Sequence, residues 1–84
     1  MTQEKPELLH LVVRRNIRRI VKEDTVQTES GIVPARHYKR HILREIHTRS
    51  LDFLNRKPGE TKQKVNALLD ARAALFLIND AIGQ

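Results

Sequence analysis

The residues most suited to chemistry are four closely spaced arginines, Arg14, Arg15, Arg18 and Arg19, interrupted only by Asn16 and Ile17. On a helix their guanidinium groups cover about 140° of one face. Arginine stays charged at any biological pH, and its planar fork makes two parallel hydrogen bonds to a phosphate or carboxylate. Lys22 falls on the same side, and Arg36, Arg40 and Arg44 extend the field if a second helix lies beside the first. Such a surface would follow the backbone of a nucleic acid. The plainer account is a solvated helix face, but such faces usually interleave both signs, and acids are almost absent from the middle of this segment.

Base reading has less support. The chain has no helix-turn-helix turn, no cysteine-histidine finger and no aromatic platform, since Tyr38, Phe53 and Phe76 all fall on arcs assigned to the core. Binding is therefore expected to be driven by backbone phosphates and to weaken with salt, without strong sequence preference.

His37, His41 and Glu45 recur every fourth residue, a spacing that can clamp a divalent ion. Structural zinc sites use four ligands, so two surface imidazoles are expected to be solvated, and no metal or other cofactor is implied. Catalysis has as little to stand on. No nucleophile lies beside an identifiable base, and no glycine-rich loop cradles a nucleotide, so enzyme activity is not expected. Asp70 and Asp80 fall toward opposite flanks of a third helix and read as solubilising charges.

The elements that position these residues are three amphipathic segments. Residues 65–82 are the most apolar: Leu68, Ala71, Leu75, Ile78 and Ile82 form one stripe, and Val65, Leu69 and Phe76 a second beside it. A helix this apolar needs partners on two sides, which makes it central. Arg72 and Asn79 lie between its stripes. They read either as core-edge polar groups or, with Leu68, Leu75 and Ile82, as an oligomer seam whose polar pair fixes register. Asn16 invites the same two readings.

The first helix is predicted over residues 6–23, opened by Pro6. Leu9, Val13, Ile17 and Ile20, flanked by Leu8, Val12 and Val21, lie opposite the arginines, while Leu11 falls alone within the basic face as a possible apolar anchor. Residues 24–33 fit either a short hairpin or an extended loop, with a turn signal at Ser30 and Gly31. The expectation adopted is a loop that tucks Ile32 and Val33 under the bundle. The second helix is predicted over 34–56 and stopped by Pro58 and Gly59, with Ala35, Tyr38, Ile42, Leu43, Ile46, Ser50, Phe53 and Leu54 on its buried arc. The third follows over 60–82 after a short turn, so helices two and three are expected to be antiparallel neighbours.

Charge and composition bound the rest. Residues 1–57 carry 13 of the 16 lysines and arginines against 7 of the 10 acids, so the excess of +6 lies wholly in the first two helices. The chain has no cysteine, which removes disulfides and thiol chemistry. No signal peptide or membrane-spanning run is legible, and the chain reads as soluble and cytoplasmic. A basic amphipathic first helix without Trp or Phe on its apolar side suits a protein core better than a lipid surface.

The expectation is therefore a single all-α domain over residues 1–84, a bundle of three main helices with the third central. With so small a core, it is expected to form a homodimer. Its predicted role is a non-catalytic binding module for nucleic acid. The alternative is a small regulatory protein of inhibitor, immunity, antitoxin or adaptor type that binds an acidic surface of a partner protein.

Overall fold

A computed structural model describes residues 7–17, 25–28 and 31–82. In chain order the elements are α1 (Leu9–Ile17), β1 (Thr25–Thr28), β2 (Gly31–Pro34), α2 (Ala35–Leu54) and α3 (Thr61–Ala81). The molecule is mostly helical and α3 packs against both other helices. It is not purely helical, because Thr25–Thr28 and Gly31–Pro34 pair as two antiparallel strands.

The hairpin corrects the loop expected there. Its register pairs Thr25 with Pro34, Val26 with Val33, Gln27 with Ile32 and Thr28 with Gly31. Alternation across a strand puts Val26 and Val33 on one face and Ile32 on the other. Val26 is fully buried and Val33 half-buried, whereas Ile32, expected under the bundle, is 63% exposed. Gly31 supplies a φ of +119°, a conformation that side chains rarely adopt. The Thr28 hydroxyl donates to the Gly31 carbonyl at 2.8 Å.

The second and third helices fall within two residues of their predicted bounds, because Pro34 and the Pro58-Gly59 turn punctuate them. Gly59 takes a φ of +92° in that turn, and the Glu60 carboxylate accepts from the Lys57 amide at 3.0 Å. The first helix begins at Leu9 rather than Pro6, with the Leu8 carbonyl accepting from the Leu11 and Val12 amides. Its expected continuation to residue 23 lies outside the described residues.

The core is a cluster of Val13, Val26, Ala35, Tyr38, Ile42, Ala74 and Ile78, with Leu9, Ile17, Val33, Ile46, Leu75, Leu77 and Ile82 packed around it. The hairpin contributes Val26 and packs against both α1 and α2. Several residues expected inside lie outside. Leu43 and Leu54 on α2 are 44% and 72% exposed, and Leu69 and Phe76 on α3 are 56% and 71% exposed. Both α1 and α2 pack on the side of α3 that carries Ala71, Ala74 and Ile78, and Leu69 and Phe76 of the second stripe have no cover among the described residues.

Candidate functional site

α2 is amphipathic in a specific way. Ala35, Tyr38 and Ile42 are buried, while Arg36, His37, Arg40, His41, Arg44, His47 and Thr48 are exposed. Arg36, Arg40 and Arg44 recur every fourth residue, so successive guanidinium stems climb about 6 Å and rotate only about 40°. The three arginines form a ladder. Among the described residues none of them makes an ion pair, unlike Arg15 and Arg49.

The acids of α2 itself are engaged or displaced. Glu45 is half-buried and accepts from Arg49 Nε at 3.0 Å. Asp52 lies further along, beside an open groove that also borders Gln63 and Lys64. Glu45, the third member of the spacing with His37 and His41, is therefore turned to an arginine. α2 also inverts the usual charge preference of a helix. It has no acid in its first turn and no side-chain cap at Pro34, so Arg36 adds positive charge to an end already positive by its dipole.

On α1, Arg14 and Arg15 are exposed. Arg15 donates to Glu7 Oε2 at 2.7 Å, so part of its charge is compensated. Leu11 is 40% exposed. Arg18, Arg19 and Lys22 lie outside the described residues. α1 and α2 are tied by Asn16, whose Nδ2 donates to the Tyr38 hydroxyl at 2.8 Å. Both groups are buried, which resolves Asn16 as an internal polar contact. Burial pushes the Tyr38 phenol up, outweighing the lowering effects of the Asn16 hydrogen bond and the Arg15 charge.

The main feature missed by sequence reasoning is Asp70. Expected as a solubilising charge, it is only 7% exposed. Its carboxylate accepts from the Leu9 amide at 2.7 Å, the His10 amide at 2.9 Å and the His10 ring Nδ1 at 2.5 Å, and Arg49 donates to it at 3.0 Å. A carboxylate on α3 thus caps the first turn of α1, where free amides and the helix dipole favour an anion. Burial alone would raise the Asp70 carboxyl, but the hydrogen bonds from His10, Leu9 and Arg49 together hold it below its ordinary value. For Arg49, burial acts to lower its guanidinium, and the bonds to Asp70 and Glu45 raise it above its ordinary value. Arg49 also donates to the Ala67 carbonyl at 2.7 Å, so one side chain of α2 is anchored twice on α3.

An aspartate holding a histidine ring can fix its tautomer for proton transfer. The hollow beside this pair is lined by Leu8, His10, Asn66, Leu69, Asp70 and Ala73. Capping accounts for the arrangement.

The residues read as an oligomer seam are divided by the structure. Leu75 and Ile82 pack on the chain's own core, Leu68 is half-buried and Arg72 is exposed. Asn79 is half-buried, and its Oδ1 is buried without a hydrogen-bond partner among the described residues. The aromatic side chains are also divided. Tyr38 is buried, Phe53 is half-buried with the Arg56 guanidinium 4.2 Å from its ring centre, and Phe76 is on the exposed side of α3.

Among the described residues no helix is long and apolar enough to cross a membrane. The chain matches none of the protein-family models, curated proteins or solved structures with which it was compared.

Proposed function

We propose that the chain is a non-catalytic binding module that associates with nucleic acid through arginine-phosphate contacts along α2, extended by Arg14 and Arg15 of α1. The observation that carries this reading is the ladder of Arg36, Arg40 and Arg44 on an exposed face, without ion pairs among the described residues. Like charges four residues apart destabilise a helix by roughly 0.2–0.5 kcal/mol per pair, and charge at the wrong end of the dipole adds a similar amount. A polyanion laid along this face would offset both costs. His37, His41 and His47 share the exposed side and offer further ring N–H donors to phosphate oxygens.

The test is fluorescence anisotropy of a labelled duplex and a labelled single strand at about 50 and 200 mM salt. Three phosphates neutralised by the ladder give an expected slope of roughly −3 in log affinity against log salt. Arg36→Glu with Arg40→Glu and Arg44→Glu is expected to remove binding while leaving helical content intact. Absence of binding at the lower salt would defeat the reading.

A second reading has its own support. Leu51 and Leu54 are 46% and 72% exposed on α2, and Leu11 lies beside Arg14 and Arg15 on α1. Apolar anchors among arginines suit a small regulator seated on an acidic protein surface, since protein interfaces draw much of their energy from such anchors. Leu54→Asp separates the two, because it is expected to weaken a protein complex and leave phosphate binding nearly unchanged.

A further inference from the structure

The exposed side of α3 is built differently from that of α2. Leu69, Ala73 and Phe76 follow one another at helical spacing, with Lys62 toward the beginning of the same side and Asp80 toward its end. Leu69 and Phe76 are 56% and 71% exposed, and Leu8, which borders Leu69 and Ala73 across the shallow hollow, is 50% exposed. The strip is thus apolar along its middle, carries opposite charges at its two ends and has Arg72 at its edge. Among the described residues eight large apolar side chains are exposed, as many as there are buried apolar ones, and three of the buried eight are alanines.

We propose that this strip is the interface with a second copy of the chain, α3 pairing antiparallel with α3 about a twofold axis near Ala73. Several features select a second copy. A twofold interface uses the same patch twice, so it must be complementary to itself. Turning the strip end for end sets Leu69 against Phe76 of the copy and brings Lys62 toward Asp80 of the copy. A parallel pair would instead align Lys62 with Lys62 and Asp80 with Asp80. Ala73, the small residue nearest the axis, lets the two helices approach closely. Arg72 lies at the edge, where its stem covers apolar surface and its guanidinium reaches solvent. A polyanion has little to recognise on this strip, because its end charges cancel.

α3 has 21 residues and is therefore about 31 Å long. An interface one helix wide and of that length lies toward the lower end of the roughly 1,200–2,000 Å² typical of stable complexes, so the dimer is reversible and depends on concentration. The seam uses Leu69, Ala73 and Phe76 in place of Leu75 and Ile82, which already pack on the core. It stands independently of the anion binding proposed for α2.

The test is sedimentation equilibrium of the full chain across low to high micromolar concentration. The expected mass rises from 9.8 kDa toward twice that value. Phe76→Glu with Leu69→Glu is expected to hold the mass at the single-chain value, with circular dichroism confirming that the exposed substitutions leave the helices folded. Lys62→Glu alone is expected to weaken the dimer several-fold, and adding Asp80→Lys to restore it, an outcome specific to the antiparallel pairing. Because the chain has no cysteine, Ala73→Cys provides a second readout: mild oxidation is expected to cross-link two copies in high yield. A single-chain mass at every concentration would overturn the proposal. So would a dimer that persists in the folded Phe76→Glu, Leu69→Glu variant.

Discussion

Asp70 on α3 accepts hydrogen bonds from both the backbone amide and the ring Nδ1 of His10, sixty residues earlier in the chain. With the Leu9 amide and the Arg49 guanidinium completing its coordination, one carboxylate fixes the start of α1, the middle of α3 and the C-terminal half of α2. Asp70→Ala leaves amides at a helix start uncapped and Arg49 without one of its acids. The expected loss is ~3 kcal/mol, measured by urea denaturation, within the range found when one partner of a buried ion pair is removed.

The same group gives an acid-sensitive stability. Burial acts to raise the Asp70 carboxyl, but its hydrogen bonds win and hold it below the ordinary value of about 3.9. The folded chain therefore binds this proton less tightly than the unfolded one. The stabilisation is complete above the unfolded value and is lost as pH falls through the lower folded value. Urea melts in mildly acidic and strongly acidic buffer are expected to show the loss, and Asp70→Asn to shrink it. An equal acid response in the variant would assign the effect to other groups.

Tyr38→Phe removes the acceptor of Asn16 Nδ2 and leaves a buried amide donor unsatisfied, at a cost of ~1–3 kcal/mol. Adding Asn16→Leu to Tyr38→Phe is expected to recover part of that loss, because both polar partners are then gone. Thermal melts of the two single variants and the double variant measure the coupling.

Ile78→Ala is expected to cost ~2–5 kcal/mol, because Ile78 is fully buried in the central cluster and its loss leaves a cavity. Leu54→Ala, at a side chain 72% exposed, is expected to change stability by under ~0.5 kcal/mol. Comparing the two under identical conditions checks which leucine-type positions belong to the core.

Each arginine replaced along the ladder is expected to reduce the salt dependence of binding by about one unit of slope, with little difference between nucleic-acid sequences. Arg40→Gln is the cleanest probe, since Arg40 is exposed and makes no ion pair among the described residues. An unchanged slope would remove Arg40 from the interface.

Local signals made α2 and α3 legible in the sequence. Pro34, Pro58 and Gly59 punctuate them, and their apolar residues recur at helical spacing. The hairpin was half legible: strand alternation was present around Ser30 and Gly31, but four-residue strands are short enough to read equally well as a loop. Periodicity identifies an apolar face without saying which neighbour covers it, so by itself it places Leu43, Leu54, Leu69 and Phe76 inward. Asp70 was illegible for a different reason. Its partners lie up to 61 residues away, and an acid on a helix flank looks the same whether water or a distant amide meets it. The basic field on α2 is legible as composition, whereas the inward pairing of Arg49, and the absence of ion pairs at Arg36, Arg40 and Arg44 among the described residues, depend on the folded arrangement.

The long reach of the Asp70 cap also orders events during synthesis. A ribosome delivers the amides of Leu9 and His10 long before it delivers the carboxylate that satisfies them. Helices draw most of their stability from tertiary packing, and the docking surface of α1 on α3 emerges later still. The emerging chain therefore displays its arginine-rich half without a settled fold, and α1 locks only after translation has passed Asp70. A ribosome stalled before that codon would present α1 undocked, with Val13 and Asn16 open to proteases and chaperones that the finished chain turns away.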